Sequence, residues 1–282
     1  AIYKASHTFT LQDPALWDLD APSFYHITAE LTGADGVTDT LTTRFGCRTI
    51  EATPDCGLLV NHKRVLIKGV CIHHDFGCLG SAFEYSAAKR QLEILKSMGV
   101  NSIRTGHTPP APQFMDLADE MGILMDVESF DCWRSGKNPY DYGRFFDEWQ
   151  EKDVAAWIRR DRNHPCILAW ELSINEIRMP EEFIDRAVAI GHEEYPGQTY
   201  IAGWMKYGYD IYIEARQHRK EALYSKPLIV SEYGDWEYFA MNAGFEQERW
   251  SDMLPEERSS RQARGSGEVR LLQQATNVQE AH

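Results

Sequence analysis

The sequence predicts an α/β protein whose main body is a (β/α)8 barrel, preceded by a short β-rich segment. Three observations carry this reading. From about residue 57 onward, short apolar runs alternate with amphipathic segments. The runs are continuously hydrophobic, as parallel strands covered on both faces are. Seven such runs fall between Val65 and Ser231. That density suits a closed barrel of about 250 residues better than a doubly wound sheet, and no GxGxxG or Walker motif follows any of them.

Residues 1–52 have a different character. Phe24–Leu31 (FYHITAEL) alternates apolar and polar positions, Gly33–Gly36 (GADG) is a turn signal, and VTDTLTTRFGCRTI resumes the alternation. This predicts an antiparallel hairpin from a β-sandwich. Two or three strands cannot bury a core alone, so the segment packs on the rest or belongs to a larger β domain.

The barrel elements follow in order. Arg64–Val70 (RVLIKGV) is the first strand, and Ser86–Gly99 a helix with Ser86 as N-cap and Gly99 as C-cap. Val100–Arg104 is the second strand. Ala111–Gly122 is a helix, with Phe114, Leu117, Ala118 and Met121 at helical spacing, and Ile123–Val127 is the third strand. A helix over Asp147–Arg162 precedes the strand Cys166–Leu172. Pro180 starts the next helix at its first position, running to Gly191. Thr199–Gly203 and the weaker Tyr209–Glu214 are strands, Ala215–Tyr224 is a helix, and Pro227–Glu232 is a strongly buried strand. Gly267–His282 reads as a helix. A barrel needs an eighth strand, so the domain over residues 53–282 is expected to be incomplete at its C-terminal end.

Composition narrows the partners. Asp plus Glu exceed Lys plus Arg by 43 to 29, a net charge of −14. That field repels phosphates and argues against nucleic acid. No apolar run approaches the ~20 residues of a membrane span. No secretory leader is visible, and the sequence sets no compartment. The six cysteines lack CxxC or zinc spacing and are expected to be mostly buried reduced thiols. Asn61-His62-Lys63 reads as a turn.

Polar residues collect where the strands end, which is where barrel chemistry sits. They include His73, His74 and Asp75 after the first strand, and Arg104 and His107 at and after the second. Glu128, Asp131 and Trp133 follow the third, Asn175 and Glu176 the fourth, Trp204 the fifth, and Glu232 and Trp236 the last. Glu176 and Glu232 both lie just past very apolar stretches, where a carboxylate is costly unless paired or hydrogen-bonded. Two facing carboxylates are the equipment of glycoside hydrolysis, one protonating the leaving oxygen and the other attacking the sugar or activating water. Aromatic residues make up 12% of the chain, and rings after strands offer stacking platforms for a sugar.

These stretches resemble glycoside hydrolase family 2, the β-galactosidase, β-glucuronidase and β-mannosidase group. LLVNHKRVLIKGVCIHHD is similar to its first barrel strand, and GVNSIRTGHTPPAPQFMDLADEMGILMDVE to its N-x-[IV]-R-T-S-H-Y-P region. RDRNHPCILAWELSINE and PLIVSEYGDWEY resemble the acid/base and nucleophile strands. The resemblance implies an immunoglobulin-like sandwich end over residues 1–52. It implies Glu176 as general acid/base, Glu232 as nucleophile, and Arg104 orienting the nucleophile. Asn175 would bond the sugar 2-hydroxyl, His73, Asp75 and His107 would line the sugar subsite, and Trp204 and Trp236 would contact the substrate. The reaction would retain anomeric configuration, with β-galactosides as first choice.

Departures are Cys71 for the usual Asn, Gly106 and Thr108 in the second motif, Cys166 after His-Pro, and Ile174 before Asn-Glu. Members that use Mg²⁺ take ligands from a Glu/His pattern after the third strand; here ESFDCWRSGKNPYDYG contains no His. Neither metal nor cofactor is expected. The expected partner is a carbohydrate, with no nucleic acid and no membrane, and a homo-oligomer is compatible with the sequence. Two alternatives stand beside this reading. One is a non-catalytic or inactive sugar-binding fragment. The other is a different retaining barrel glycosidase, such as a β-glucuronidase, a β-mannosidase or an endo-mannanase type.

Overall fold

A computed structural model describes residues 5–174, 177–197, 199–201, 205–214 and 225–232. The helices expected over Ala215–Tyr224 and Gly267–His282 lie outside the described residues. The chain divides into two units, Ala1–Tyr212 with Tyr224–Pro227, and Ile213–Leu223 with Leu228–His282.

The first unit opens with the expected hairpin. Strands β1 (Tyr25–Thr32) and β2 (Thr38–Phe45) pair antiparallel, with Tyr25 opposite Phe45 and their rings stacked at 5.8 Å. Thr28 bonds Thr42 at 2.9 Å and Thr32 bonds Thr38 at 3.0 Å across the strands, pairs of the kind that stabilise a ribbon. A meander not anticipated from the sequence follows: β3 (Ile50–Thr53), β4 (Gly57–Val60) and β5 (Lys63–Arg64). Asn61 and His62 make the turn between β4 and β5 with φ of 50° and 63°, conformations that Asn tolerates better than most residues.

Five parallel strands form the main sheet: β6 (Gly69–His73), β7 (Ser102–Gly106), β8 (Leu124–Phe130), β9 (Ile167–Ile174) and β10 (Tyr200–Ile201). Their spatial order is their chain order. A doubly wound sheet reverses direction at a switch point; this sheet advances one way, as a barrel does. Every residue of β7 and β8 is buried, which is why those stretches read as unbroken apolar runs. The first barrel strand starts at Gly69 rather than Arg64. Lys63–Arg64 turn back onto β4, and Asn101 clamps the link by accepting from Lys68 N at 2.8 Å and donating to Leu66 O at 2.9 Å.

Helices α1 (Tyr85–Ser97), α2 (Pro112–Met121), α3 (Phe146–Asp161) and α4 (Glu181–Glu194) alternate with β6–β10. The N-cap of α1 is Glu84, not Ser86: Glu84 is extended, and its carboxylate accepts from Ala87 N at 2.8 Å. Pro180 is likewise the N-cap of α4 rather than its first residue. Of the six cysteines, none in a disulfide, only Cys132 and Cys166 are buried; Cys47 is intermediate, and Cys56, Cys71 and Cys78 are exposed. The expectation of mostly buried thiols is corrected accordingly.

Within this unit, residues 16–19 and 44–48 dock on the end of α2 and on the segment before β9. Trp17, fully buried, donates from Nε1 to Asp119 O at 2.9 Å. Arg44 reaches Asp116 and Glu120 at 2.8 Å each, and Arg48 donates to Pro165 O at 2.9 Å and Ile167 O at 2.6 Å. Gly122 closes α2 at φ 64°, and a Cβ there would stand 1.9 Å from Leu19 O. Gly122→Ala should therefore cost more than the roughly 1–3 kcal/mol of backbone strain alone. Gly99→Ala is the control, with φ 87° and open space around it. Equal urea-unfolding losses for the two variants would contradict the close approach.

Asp119 also accepts from His164 Nδ1 at 2.7 Å and from Cys166 N at 3.0 Å. Burial opposes the charge on His164, but its bond to Asp119 and the nearby Asp161 and Asp116 raise its pKa above 6.5. The folded state thus keeps a proton that the unfolded chain releases above pH 6.5. This stabilisation is complete below that pH and is lost as pH rises through the folded value. Wild type should lose stability over that interval more steeply than His164→Gln in urea titrations; parallel pH curves would break the link. Asp116, Asp119 and His164 are the group of metal-ligating atoms that converge within 4.8 Å among the described residues. The Arg44 guanidinium already supplies a cation there.

Strands β11 (Tyr212–Glu214) and β12 (Leu228–Val230) form a separate two-stranded sheet. β12 is shorter and less buried than its sequence predicts, with Leu228 and Val230 exposed at 38% and 36%.

Candidate active site

The alternation of side chains along a strand puts residues two apart on one face. Asp126 and Glu128 on β8 thereby face the same side as Arg104 on β7 and Glu171 on β9. The parallel register sets Arg104 beside Asp126, and Glu128 beside Glu171. All four are buried, Glu171 completely and Glu128 to within 1%. Cys71 on β6 pairs in register with Arg104, whose Nη1 lies 3.9 Å from its sulfur.

Arg104 holds this group together. Its Nε lies 3.0 Å from Glu128 Oε1, and its Nε and Nη2 both donate to Glu171 Oε2 at 3.3 Å. Glu128 Oε2 bonds His107 Nδ1 at 2.8 Å, and Glu128 N donates to Thr105 Oγ1 at 3.2 Å. The His107 ring meets His73 edge-on at 5.3 Å. Burial opposes the charge on Arg104, but Glu171 and Glu128 outweigh it and hold the guanidinium well above its ordinary pKa. Asp126 goes the other way. Burial first, then the charge of Glu171, push its carboxyl well above the usual range despite Arg104. Its Oδ1 has no hydrogen-bond partner among the described residues. Burial and the charge of Glu171 thus favour its uncharged form. Tyr209, also buried, stays a phenol for the same two reasons, burial and Glu171.

The predicted site residues divide into groups. Arg104, His107 and His73 come together. Asp75 is exposed on the loop after β6, and its Oδ1 accepts from Gly77 N at 2.8 Å, so one oxygen serves the turn. His74 is drawn off to Ser81 O at 2.9 Å. Glu232 follows β12 in the second unit and is half-buried. Asn175, Glu176, Trp204 and Trp236 lie outside the described residues. Trp133, read as a sugar platform, is engaged elsewhere: it packs on Phe146 at 4.7 Å and Phe183 at 5.0 Å, with Arg134 over its ring at 4.7 Å.

Sequence reasoning did not select Asp126 or Glu171. Their signal was present, since each is a lone acid inside an apolar strand, where an unpaired charge is costly. At the end of β8, a cavity of about 520 Å³ is lined by Thr108, Ser129, Phe130, Asp131, Tyr142 and Trp157, among others, and by none of Arg104, His107, Asp126, Glu128 and Glu171. Thr108 and Ser129 directly follow His107 and Glu128 in the chain.

Comparison with known proteins adds the following. The family model described as glycosyl hydrolases family 2, TIM barrel domain, matches residues 53–258, and a second, glycosyl hydrolases family 2, matches residues 2–48. A β-galactosidase of Bacteroides ovatus is 44% identical over 168 residues, covering 60% of this chain and 20% of that protein. A β-glucuronidase of Bacteroides fragilis is 29% identical over 194 residues, covering 66% and 28%. The crystal structure of a β-glycosidase from Bacteroides vulgatus superposes with a TM-score of 0.68 at 38% identity, covering 72% of this chain and 26% of that one. The chain thus spans about a fifth to a quarter of the length of such relatives.

Proposed function

The chain belongs to glycoside hydrolase family 2, and from that premise we propose that it supplies the catalytic carboxylates of a retaining β-glycosidase. The observation that carries the reading is the buried Arg104 with its carboxylates on neighbouring parallel strands, inside the stretch matched by the family's barrel domain. Glu176 serves as general acid/base and Glu232 as nucleophile. The sugar carbon passes from the leaving oxygen to the Glu232 carboxylate while Glu176 gives up its proton. Water then releases the sugar, with Glu176 acting as base. Asn175 bonds the 2-hydroxyl, His73, Asp75 and His107 line the glycone subsite, and Trp204 and Trp236 stack on the substrate. Terminal β-galactosides are the first-choice substrates, supported by the Bacteroides ovatus relative.

The test is hydrolysis of p-nitrophenyl β-galactoside, β-glucuronide and β-mannoside, with the first product anomer read by proton NMR. Release of the β-anomer, fastest from the galactoside, is expected. Release of the α-anomer would overturn the retaining mechanism, and turnover of the glucuronide alone would reassign the substrate.

A further inference from the structure

We propose that Glu128 is a positioning residue that fixes the proton of His107 on Nδ1 and thereby sets the ring's Nε2 as a hydrogen-bond acceptor. The argument starts from the two oxygens of one buried carboxylate. Oε1 lies 3.0 Å from Arg104 Nε, and Oε2 lies 2.8 Å from His107 Nδ1. A carboxylate only accepts, so the nitrogen facing it carries the hydrogen. In a neutral imidazole the other nitrogen is then the acceptor. Arg104 keeps the carboxylate ionised and pointed, since a guanidinium only donates. Glu171 Oε2 accepts from Arg104 Nε and Nη2 at 3.3 Å each. The chain Glu171–Arg104–Glu128–His107 therefore runs across three strands, buried at its three inner members, and ends at the ring. The Thr105 hydroxyl fixes the backbone at Glu128 N. A neutral ring so oriented accepts from a ligand hydroxyl and refuses a ligand that offers only an acceptor at that place. This deepens the glycosidase reading and rests on it for the identity of the ligand, a sugar hydroxyl; the proton's position stands on the geometry alone.

Glu128→Gln tests it sharply. The Arg104 cation 3.0 Å from Oε1 favours an oxygen over an NH₂ there, so the glutamine should turn its NH₂ toward His107. Nδ1 then has to accept, and the ring's proton moves to Nε2. Histidine ring nitrogens observed by ¹H–¹⁵N NMR, at a pH where the ring is neutral, should show the Nδ1–H form in wild type. They should show the Nε2–H form in Glu128→Gln, and the Nδ1–H form again in Glu171→Gln, which alters another partner of Arg104 without touching the ring. An Nε2–H ring in wild type overturns the proposal without recourse to any variant, as does an unchanged tautomer in a folded Glu128→Gln. Kinetics supply the second readout. For a variant whose tautomer has inverted, kcat/KM on the accepted glycoside should fall about ten- to a hundredfold, with the pH profile altered and not merely scaled. Unaltered kcat/KM in that variant overturns the link to the ligand. Absence of hydrolysis in wild type, with an Nδ1–H ring, overturns the glycosidase reading and supports the pairing.

Discussion

Replacing Arg104 by Met is expected to destabilise the protein by about 3–5 kcal/mol, the cost of leaving buried charges uncompensated. The loss has an identifiable origin. Glu128 and Glu171 lie 1% and 0% exposed, and Arg104 is a cation within ion-pair distance of both. Met matches the volume of the Arg stem but brings no charge, so the two carboxylates must protonate or draw in water. Asp126→Asn is the internal comparison. The surroundings of Asp126 favour its uncharged form, and the amide has the shape and polarity of that form, so the change should cost far less. Urea-unfolding free energies at neutral pH separate the two. Similar losses for both would mean that the ion pairs do not hold the sheet together. Acidification should also narrow the Arg104→Met deficit, because protonated carboxyls no longer need the cation.

The second large effect concerns the reaction. Glu176→Gln should lower kcat by about 10²–10⁴-fold, the usual contribution of a positioned acid or base. Glu232→Gln should lower it at least as far, since no covalent intermediate can form. The two losses differ in character. A smaller residue at 176 should be rescued by azide on a substrate with a good leaving group, yielding a β-glycosyl azide by attack on the glycosyl-enzyme. A smaller residue at 232 should instead give the α-azide by direct displacement. Azide products of the opposite anomers would exchange the two assignments. Retained activity in either Gln variant would remove that carboxylate from the mechanism. The same reading expects the two carboxyls about 5–5.5 Å apart.

What the sequence discloses here depends on which interaction decides each element. Strands β7, β8 and β9 were legible because they are buried on both faces, so their hydrophobicity needs no period. Helix α2 was legible from its apolar spacing and from Gly122, whose positive φ closes it. The meander at residues 50–64 was not. Its strands are two to four residues long and mostly half-exposed, too short for alternation to register. The cap of α1 went to Glu84 over Ser86 because the chain is still extended at Glu84, a backbone fact with no sequence marker. At the site, Arg104, His73 and His107 were found by following strand ends. Asp126 and Glu171 were passed over because they lie inside strands, where an acid contradicts the pattern that identified the strand. For Glu171 the contradiction was itself the clue, for a lone acid in a buried strand requires a partner, and Arg104 is one.

The strands of the main sheet stand side by side in the order in which they are made. A chain leaving the ribosome can therefore extend the sheet one strand and one helix at a time, each arrival finding its neighbour already in place. Arg104 and Glu128 emerge early in that sequence of events, but Glu171 follows Arg104 by 67 residues. Until then, one face of the guanidinium lacks its carboxylate. The Arg104–Glu171 ion pair is thus drawn by completion of the fourth strand, which makes it a record, written in charge, that the first four strands have been laid down in register.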